Sequence, residues 1–193
     1  MKKKSNILLA SSSKRRLSLL KQIRIFPDKV VNHSICEHNW PDLAPEKRVK
    51  EIAYQKALSV KKTNTQKFII SADTIIIRGK NVFEKTNNID LVKKYLTRLS
   101  GRKHFVLGGI CVIAPNGNIS KRVVKTEVFF KKIGNKDLHD QYLLEEGRNK
   151  AGGYAIQGYA SCLVSKIKGS YSNVVGLSIY HLLLMLKGLG WSR

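Results

Sequence analysis

Apolar residues recur along the chain in two periods, and the change from one to the other marks out the elements. Ile7-Leu8-Leu9-Ala10 is a short continuous apolar run that predicts a buried strand. The Ser11-Ser12-Ser13 that follows is N-cap chemistry for a helix with Leu17, Leu20 and Ile23 on one side. Val30 to Cys36 predicts a second strand, and Pro41 to Pro45 a loop. Val49, Ile52, Ala53, Ala57 and Val60 then recur at helical spacing, with Pro45 suited to the first turn. Phe68 to Ile77 is almost continuously apolar and β-branched, interrupted by Ser71, Asp73 and Thr74. It breaks at Arg78-Gly79-Lys80-Asn81, so it predicts a core strand entering a hairpin turn.

Asp90 is placed to cap a helix whose inner face carries Leu91, Val92, Tyr95, Leu96 and Leu99, stopped at Ser100-Gly101. Two long strands follow, His104 to Ile113 and Lys121 to Phe130, joined through Pro115-Asn116-Gly117-Asn118. Val124, Thr126, Val128 and Phe130 alternate with Lys125, Glu127, Phe129 and Lys131, the pattern of an antiparallel pair with one buried face. A helix over Asp137 to Glu146, a strand over Ser161 to Ile167 and a buried helix over Ile179 to Leu186 complete the chain. No internal repeat or low-complexity linker interrupts it, so residues 1–193 read as one domain. Helices alternate with strands first and hairpins come later, which predicts an α/β fold with a mixed, twisted sheet and flanking helices.

Composition adds one strong feature. The 36 Lys and Arg against 13 Asp and Glu give a formal charge of +23, a field that draws nucleic acid, anionic membrane or phosphorylated small molecules. The basic residues are spread along the whole chain, which is also how a solvated, lysine-rich surface looks. A basic nucleic-acid-binding module without catalysis is therefore an alternative, but aromatic residues are only 8% and mostly occupy apolar positions, so it ranks second. No apolar run approaches the roughly 18 residues of a membrane span, and the stretch after Met1-Lys2-Lys3-Lys4 is too short for a signal peptide. A cytoplasmic protein with no membrane partner is expected. Cys36, Cys111 and Cys162 lack disulfide or zinc spacing and are expected to be small buried hydrophobes. The five histidines show no metal-ligand spacing either.

Asp73 is the most informative residue. An ionised carboxylate inside so apolar a run costs several kcal/mol unless a cation, metal or hydrogen-bond donors compensate it. It reads as a general base or a ligand for a hard cation, against the plainer alternative of a strand-end aspartate held by backbone N–H groups in a turn. Ser11-Ser12-Ser13-Lys14-Arg15-Arg16 gathers hydroxyls, backbone N–H groups and two guanidinium forks at a helix N-terminus, a ready phosphate site without the Walker pattern. Lys56 lies on the apolar face of its helix, either snorkelling to water or aimed into a cleft. Glu37 is a second carboxylate for a metal, or an exposed loop residue. Lys150 to Gly158 joins glycine freedom to a ring and to Gln157, whose carboxamide suits a base edge.

Together these segments resemble the Maf family of nucleoside triphosphate pyrophosphatases. The match runs through Leu9 to Arg16, Ala53-Tyr54-Gln55-Lys56-Ala57, Ser71-Ala72-Asp73-Thr74, Leu99 to His104, Lys125-Thr126-Glu127-Val128, Lys150 to Gly158 and Gly169 to Leu177, seven pieces in the family's order. The resemblance implies hydrolysis of a nucleoside triphosphate to monophosphate and pyrophosphate, with Mg²⁺ or Mn²⁺, in a cleft between two lobes of a mixed sheet. It implies Asp73 as proton acceptor, Glu37 as a metal ligand, and Arg15, Lys56 and Lys85 on the phosphates; the residues themselves add Asp73 as a second carboxylate for the metal and Ser11 and Ser13 beside the phosphates. Arg15, Thr74 and Gln157 match positions tied to substrate choice in members that look like dTTP and UTP pyrophosphatases. A homodimer and a role in arresting cell division are linked to the family as well. The sequence departs from the family's pattern at Lys14 and Thr86, where many members have proline, at Cys36, where an acid often stands, and at Arg148-Asn149. On this reading Asp73→Asn is expected to abolish turnover with folding nearly intact.

Overall fold

A computed structural model describes residues 6–33, 35–36, 40–61 and 66–192. In chain order it contains β1 (Ile7–Ala10), α1 (Lys14–Gln22), β2 (Lys29–Val31), α2 (Pro45–Lys61), β3 (Phe68–Arg78), β4 (Asn81–Phe83), α3 (Ile89–Leu99), β5 (Lys103–Ile113), β6 (Ile119–Phe130), α4 (Gln141–Gly147), β7 (Val164–Lys168), α5 (Tyr171–Val175) and α6 (Ile179–Gly188). Short 3₁₀ turns precede α4 and β7. The strands hydrogen-bond in the order β2-β1-β3-β5-β6-β7, with β4 on β3. β1 is parallel to both β2 and β3, whereas β4 on β3 and β7 on β6 are antiparallel, so the sheet is mixed, flanked by helices, and the class is α/β.

The chain divides into two compact units, one of residues 1–73, 108–124 and 176–193, the other of 74–107 and 125–175. In the first, β1 is buried along its whole length, and Leu8, Ala10, Ala53, Ala57, Val60, Ile69, Cys111 and Ile113 form a contiguous core under α2. Small residues on α2 let the helix lie close. At Gly109 a Cβ would stand 2.2 Å from the Val49 carbonyl oxygen, so only glycine admits this approach of helix to strand. In the second unit α3 buries Val92, Tyr95, Leu96 and Leu99, with the Tyr95 ring edge-on to Phe83 at 5.2 Å.

Several elements differ from the sequence reading for identifiable reasons. β2 is three residues, not seven, because β1, its partner among the described residues, is itself four residues long. Asn88, not Asp90, caps α3, accepting from Leu91 N–H at 3.1 Å, and Asp90 sits in the first turn. The helix expected over 137–146 is broken at Asp140, whose carboxylate caps α4 through Leu143 N–H at 2.9 Å. The strand expected from Ser161 starts at Val164, after a 3₁₀ turn. β5 is buried on both faces rather than one. Cys36 and Cys162 are exposed, and only Cys111 is the expected buried hydrophobe. None of the described helices is long and apolar enough to cross a membrane.

Candidate active site

The site residues of the first unit come from β1, α1, α2 and β3. β1 ends with Ala10 beside Ser71 in parallel register, so the Ser11–Ser13 loop leaves the sheet next to the Ala72–Asp73 step of β3. Ser13 occupies the N-cap of α1 with extended backbone but makes no side-chain cap bond. Ser11 Oγ accepts instead, from Ser13 N–H at 3.3 Å and from Arg16 Nη1 at 3.1 Å. Arg16 Nε donates to the Gly176 carbonyl at 2.9 Å. Arg16 is buried, so of the two guanidinium forks in the sequence one ties the loop to the start of the C-terminal segment and Arg15, half-buried, is the one left near solvent. The first turn of α1 holds no acidic residue, and cations at a helix N-terminus oppose its dipole. That imbalance suits an anionic ligand.

Asp73 lies in the middle of β3, not at a strand end in a turn. Its partner is Lys56 of α2: Nζ donates to Asp73 Oδ1 at 2.7 Å, and the two side chains are 1% and 3% exposed. Lys56 therefore does not snorkel to water; it stays under the helix as the counter-charge of Asp73. Ser71, two residues earlier on the same face of β3, donates its hydroxyl to the Ala53 carbonyl one turn before Lys56, locking α2 over this stretch. A lysine ammonium has three donors, of which Asp73 Oδ1 takes one.

Thr74 follows on β3 and belongs to the second unit, its side chain on the opposite face from Asp73 by the strand's pleat. Lys85 is exposed just past β4, and its backbone pairs with Ala151 in an isolated antiparallel bridge. Asn149 N–H donates to the Thr86 carbonyl at 2.8 Å and Gly152 N–H to the Phe83 carbonyl at 3.1 Å, so residues 149–152, which lead into the Gly-Gly-Tyr-Ala-Ile-Gln-Gly segment, are laid along residues 83–86. Gln157 is exposed on that segment, between buried Ile156 and Gly158. Glu37 lies outside the described residues.

The metal expected from the sequence can be tested on this donor set. Among the described residues no three His, Cys, Asp or Glu side chains gather to hold an ion, and Asp73 gives one oxygen to Lys56. Mg²⁺ does not require such a cluster, being commonly held by one or two carboxylates plus substrate phosphates and water.

Three buried groups escaped sequence reasoning. Arg16 lies four residues before Leu20 on the buried face of α1, which also holds Leu19 in place of Leu17 and Ile23; that helical offset was the available signal. His104, fully buried on β5, bonds Tyr154 through Nε2 at 2.8 Å, and Asn173 donates to the Val106 carbonyl and Thr126 Oγ1. No sequence spacing links either pair.

Comparison with known proteins identifies the family. The family model described as "Maf-like protein" matches residues 6–189. A "dTTP/UTP pyrophosphatase" of Paramagnetospirillum magneticum is 40% identical over 186 residues, covering 96% of this chain and 98% of that one. A "Nucleoside triphosphate pyrophosphatase" of Anaplasma marginale is 39% identical over 190 residues, 97% of this chain and 96% of that one. A "dTTP/UTP pyrophosphatase" of Caulobacter vibrioides is 37% identical over 185 residues, with 96% of each chain covered. With the motifs in order, the match over nearly the whole length and relatives at this identity, the chain belongs to the Maf-like protein family.

Proposed function

We propose that this chain is a nucleoside triphosphate pyrophosphatase that cleaves the α–β phosphoanhydride bond, releasing nucleoside monophosphate and pyrophosphate, with dTTP, UTP or modified pyrimidine nucleotides as substrates. The observation that carries the reading is the buried Lys56–Asp73 pair at 2.7 Å, set where the phosphate-side loop Ser11–Arg16 leaves the sheet. A buried pair of this kind is weak support for stability, which makes a chemical task the better reason for it.

In this mechanism Ser11, Ser13 and Arg15 receive the phosphates at the start of α1, and Lys85 adds a further cation. Asp73 accepts the proton of the attacking water, and Lys56 holds that carboxylate in position while neutralising a phosphate oxygen. Asp73, with Glu37 as the sequence proposes, holds the divalent ion, which when bound neutralises charge on the phosphate oxygens. Thr74 and Gln157 take part in base selection with Arg15. The enzyme works in the cytoplasm on a diffusible nucleotide and, as the resemblance implies, as a homodimer; light scattering on the purified chain tests the last point.

The test is pyrophosphate release with Mg²⁺ across dTTP, UTP, CTP, GTP and ATP, with the monophosphate identified. Preference for dTTP and UTP supports Arg15, Thr74 and Gln157 as the selecting set. Broad preference discards that set and keeps the reaction. Salt-sensitive binding of homopolymers without hydrolysis would favour the nucleic-acid-binding alternative.

A further inference from the structure

If Gln157 selects the base, as proposed above, its effect depends on how firmly the backbone beneath it is held, because a hydrogen-bonding side chain displaced by about 1 Å loses most of its discrimination. The second unit holds that backbone from both sides. Three residues before Gln157, the buried Tyr154 hydroxyl meets His104 Nε2 at 2.8 Å. His104 is fully buried, and its Nδ1 has no hydrogen-bond partner among the described residues. Burial pushes the Tyr154 phenol up and, with a smaller contribution from Arg78, holds the His104 imidazole down at about 3. Both groups are therefore neutral where Tyr154 Oη meets His104 Nε2. Phe130 packs edge-on to both rings, with centroids 4.9 Å away in each case.

Two residues after Gln157, the Tyr159 N–H donates to Glu146 Oε2 of α4 at 2.7 Å. The same carboxylate occupies the space a side chain at Gly158 would need, since a Cβ there would stand 1.8 Å from Glu146 Oε1. Upstream, Gly152 and Gly153 take φ of +72° and +70°, which delivers Tyr154 into its buried seat. Between the two anchors Ala155 and Ile156 are buried and Gln157 is exposed. We propose that Tyr154, through His104, and Glu146, through the Tyr159 N–H, are positioning residues that fix the backbone of Gln157 and so set base selectivity.

The experiment measures kcat and KM of the full chain for UTP, dTTP, CTP, GTP and ATP with Mg²⁺, in the wild type, Gln157→Ala, Tyr154→Phe, Glu146→Ala, Glu146→Gln and the Tyr154→Phe and Glu146→Ala doubles with Gln157→Ala. Tyr154→Phe and Glu146→Ala are each expected to lower the ratio of kcat/KM for the preferred nucleotide over the others by about tenfold, through KM, the size of one lost hydrogen bond. Glu146→Gln keeps an acceptor for the Tyr159 N–H and is expected to retain the wild-type ratio. In the Gln157→Ala background neither change should lower the ratio further. If Gln157→Ala lowers the ratio but Tyr154→Phe and Glu146→Ala leave it unchanged, or reduce every nucleotide equally, the positioning role is wrong while Gln157 stands. If Gln157→Ala itself leaves the ratio unchanged, Gln157 is not the selector and the inference falls with it. Should Tyr154→Phe fail to fold, the Glu146 pair of variants decides alone.

Discussion

Two buried polar pairs, one in each unit, have nearly the same length and differ in charge. Lys56 and Asp73 in the first unit meet at 2.7 Å as an ammonium and a carboxylate, whereas His104 and Tyr154 in the second meet at 2.8 Å as two neutral groups. A neutral pair costs little to bury and mainly fixes geometry. A charged pair seldom stabilises a fold relative to apolar residues of the same volume, so its place on the β3–α2 contact is best explained by chemistry that moves charge. In the proposed mechanism the first pair is the reacting centre and the second a supporting frame.

The sharpest way to break the comparison is to remove one charge of the first pair. Lys56→Met leaves Asp73 buried without its cation and is expected to cost about 3–5 kcal/mol in denaturant unfolding. Asp73→Asn strands Lys56 in the same way, which replaces the sequence-based expectation that this variant folds almost normally. It should also lower kcat about 10²–10⁴-fold. The double variant Lys56→Met/Asp73→Leu is expected to recover much of the stability and none of the activity. Recovery of neither would mean that the pair does not act as a unit.

The second pair responds to pH instead. His104 is held at about 3 in the folded protein by burial and, less strongly, by Arg78, against about 6.5 when unfolded. Its folded value is depressed, so the unfolded chain binds the extra proton and stability falls as pH drops below about 6.5, levelling off near 3. At pH 5 the loss is about 2 kcal/mol relative to pH 8, read from urea midpoints, and His104→Gln should flatten that part of the profile. Tyr154→Phe removes the hydroxyl that bonds Nε2 and is expected to cost about 1–2 kcal/mol in the same measurement. The smallest effect belongs to an ion pair near the surface: Asp28→Asn, which releases a partly exposed Lys67, should change stability by less than about 1 kcal/mol.

The elements with long, single-period patterns were legible. The α2 spacing from Val49 to Val60 and the apolar run of β3 gave both elements that hold the charged pair, and the demand that Asp73 have a partner followed from burial alone. Which residue met it was not legible, because Lys56 lies 17 positions away and only packing brings it near. Snorkelling is the usual fate of such a lysine, and here Ser71 holds α2 too close to β3 for it. Arg16 was misjudged for the opposite reason: a basic residue beside Arg15 at a helix start resembles a ligand fork, yet the Gly176 carbonyl, 160 positions on, takes its Nε–H. Tyr154 and His104, 50 positions apart, left no trace in periodicity, since one lies in a glycine turn and the other begins a strand. Local pattern thus reached the elements, and the pairings that give the site its chemistry came from contacts distant in sequence.

The most direct test is to incubate the purified chain with dTTP and Mg²⁺, identify the products, and repeat with Asp73→Asn. The account predicts dTMP and pyrophosphate in equal amounts from the wild type and a loss of at least about a hundredfold in the variant. Release of inorganic phosphate with dTDP, or an Asp73→Asn variant that still turns over at the wild-type rate, would contradict it.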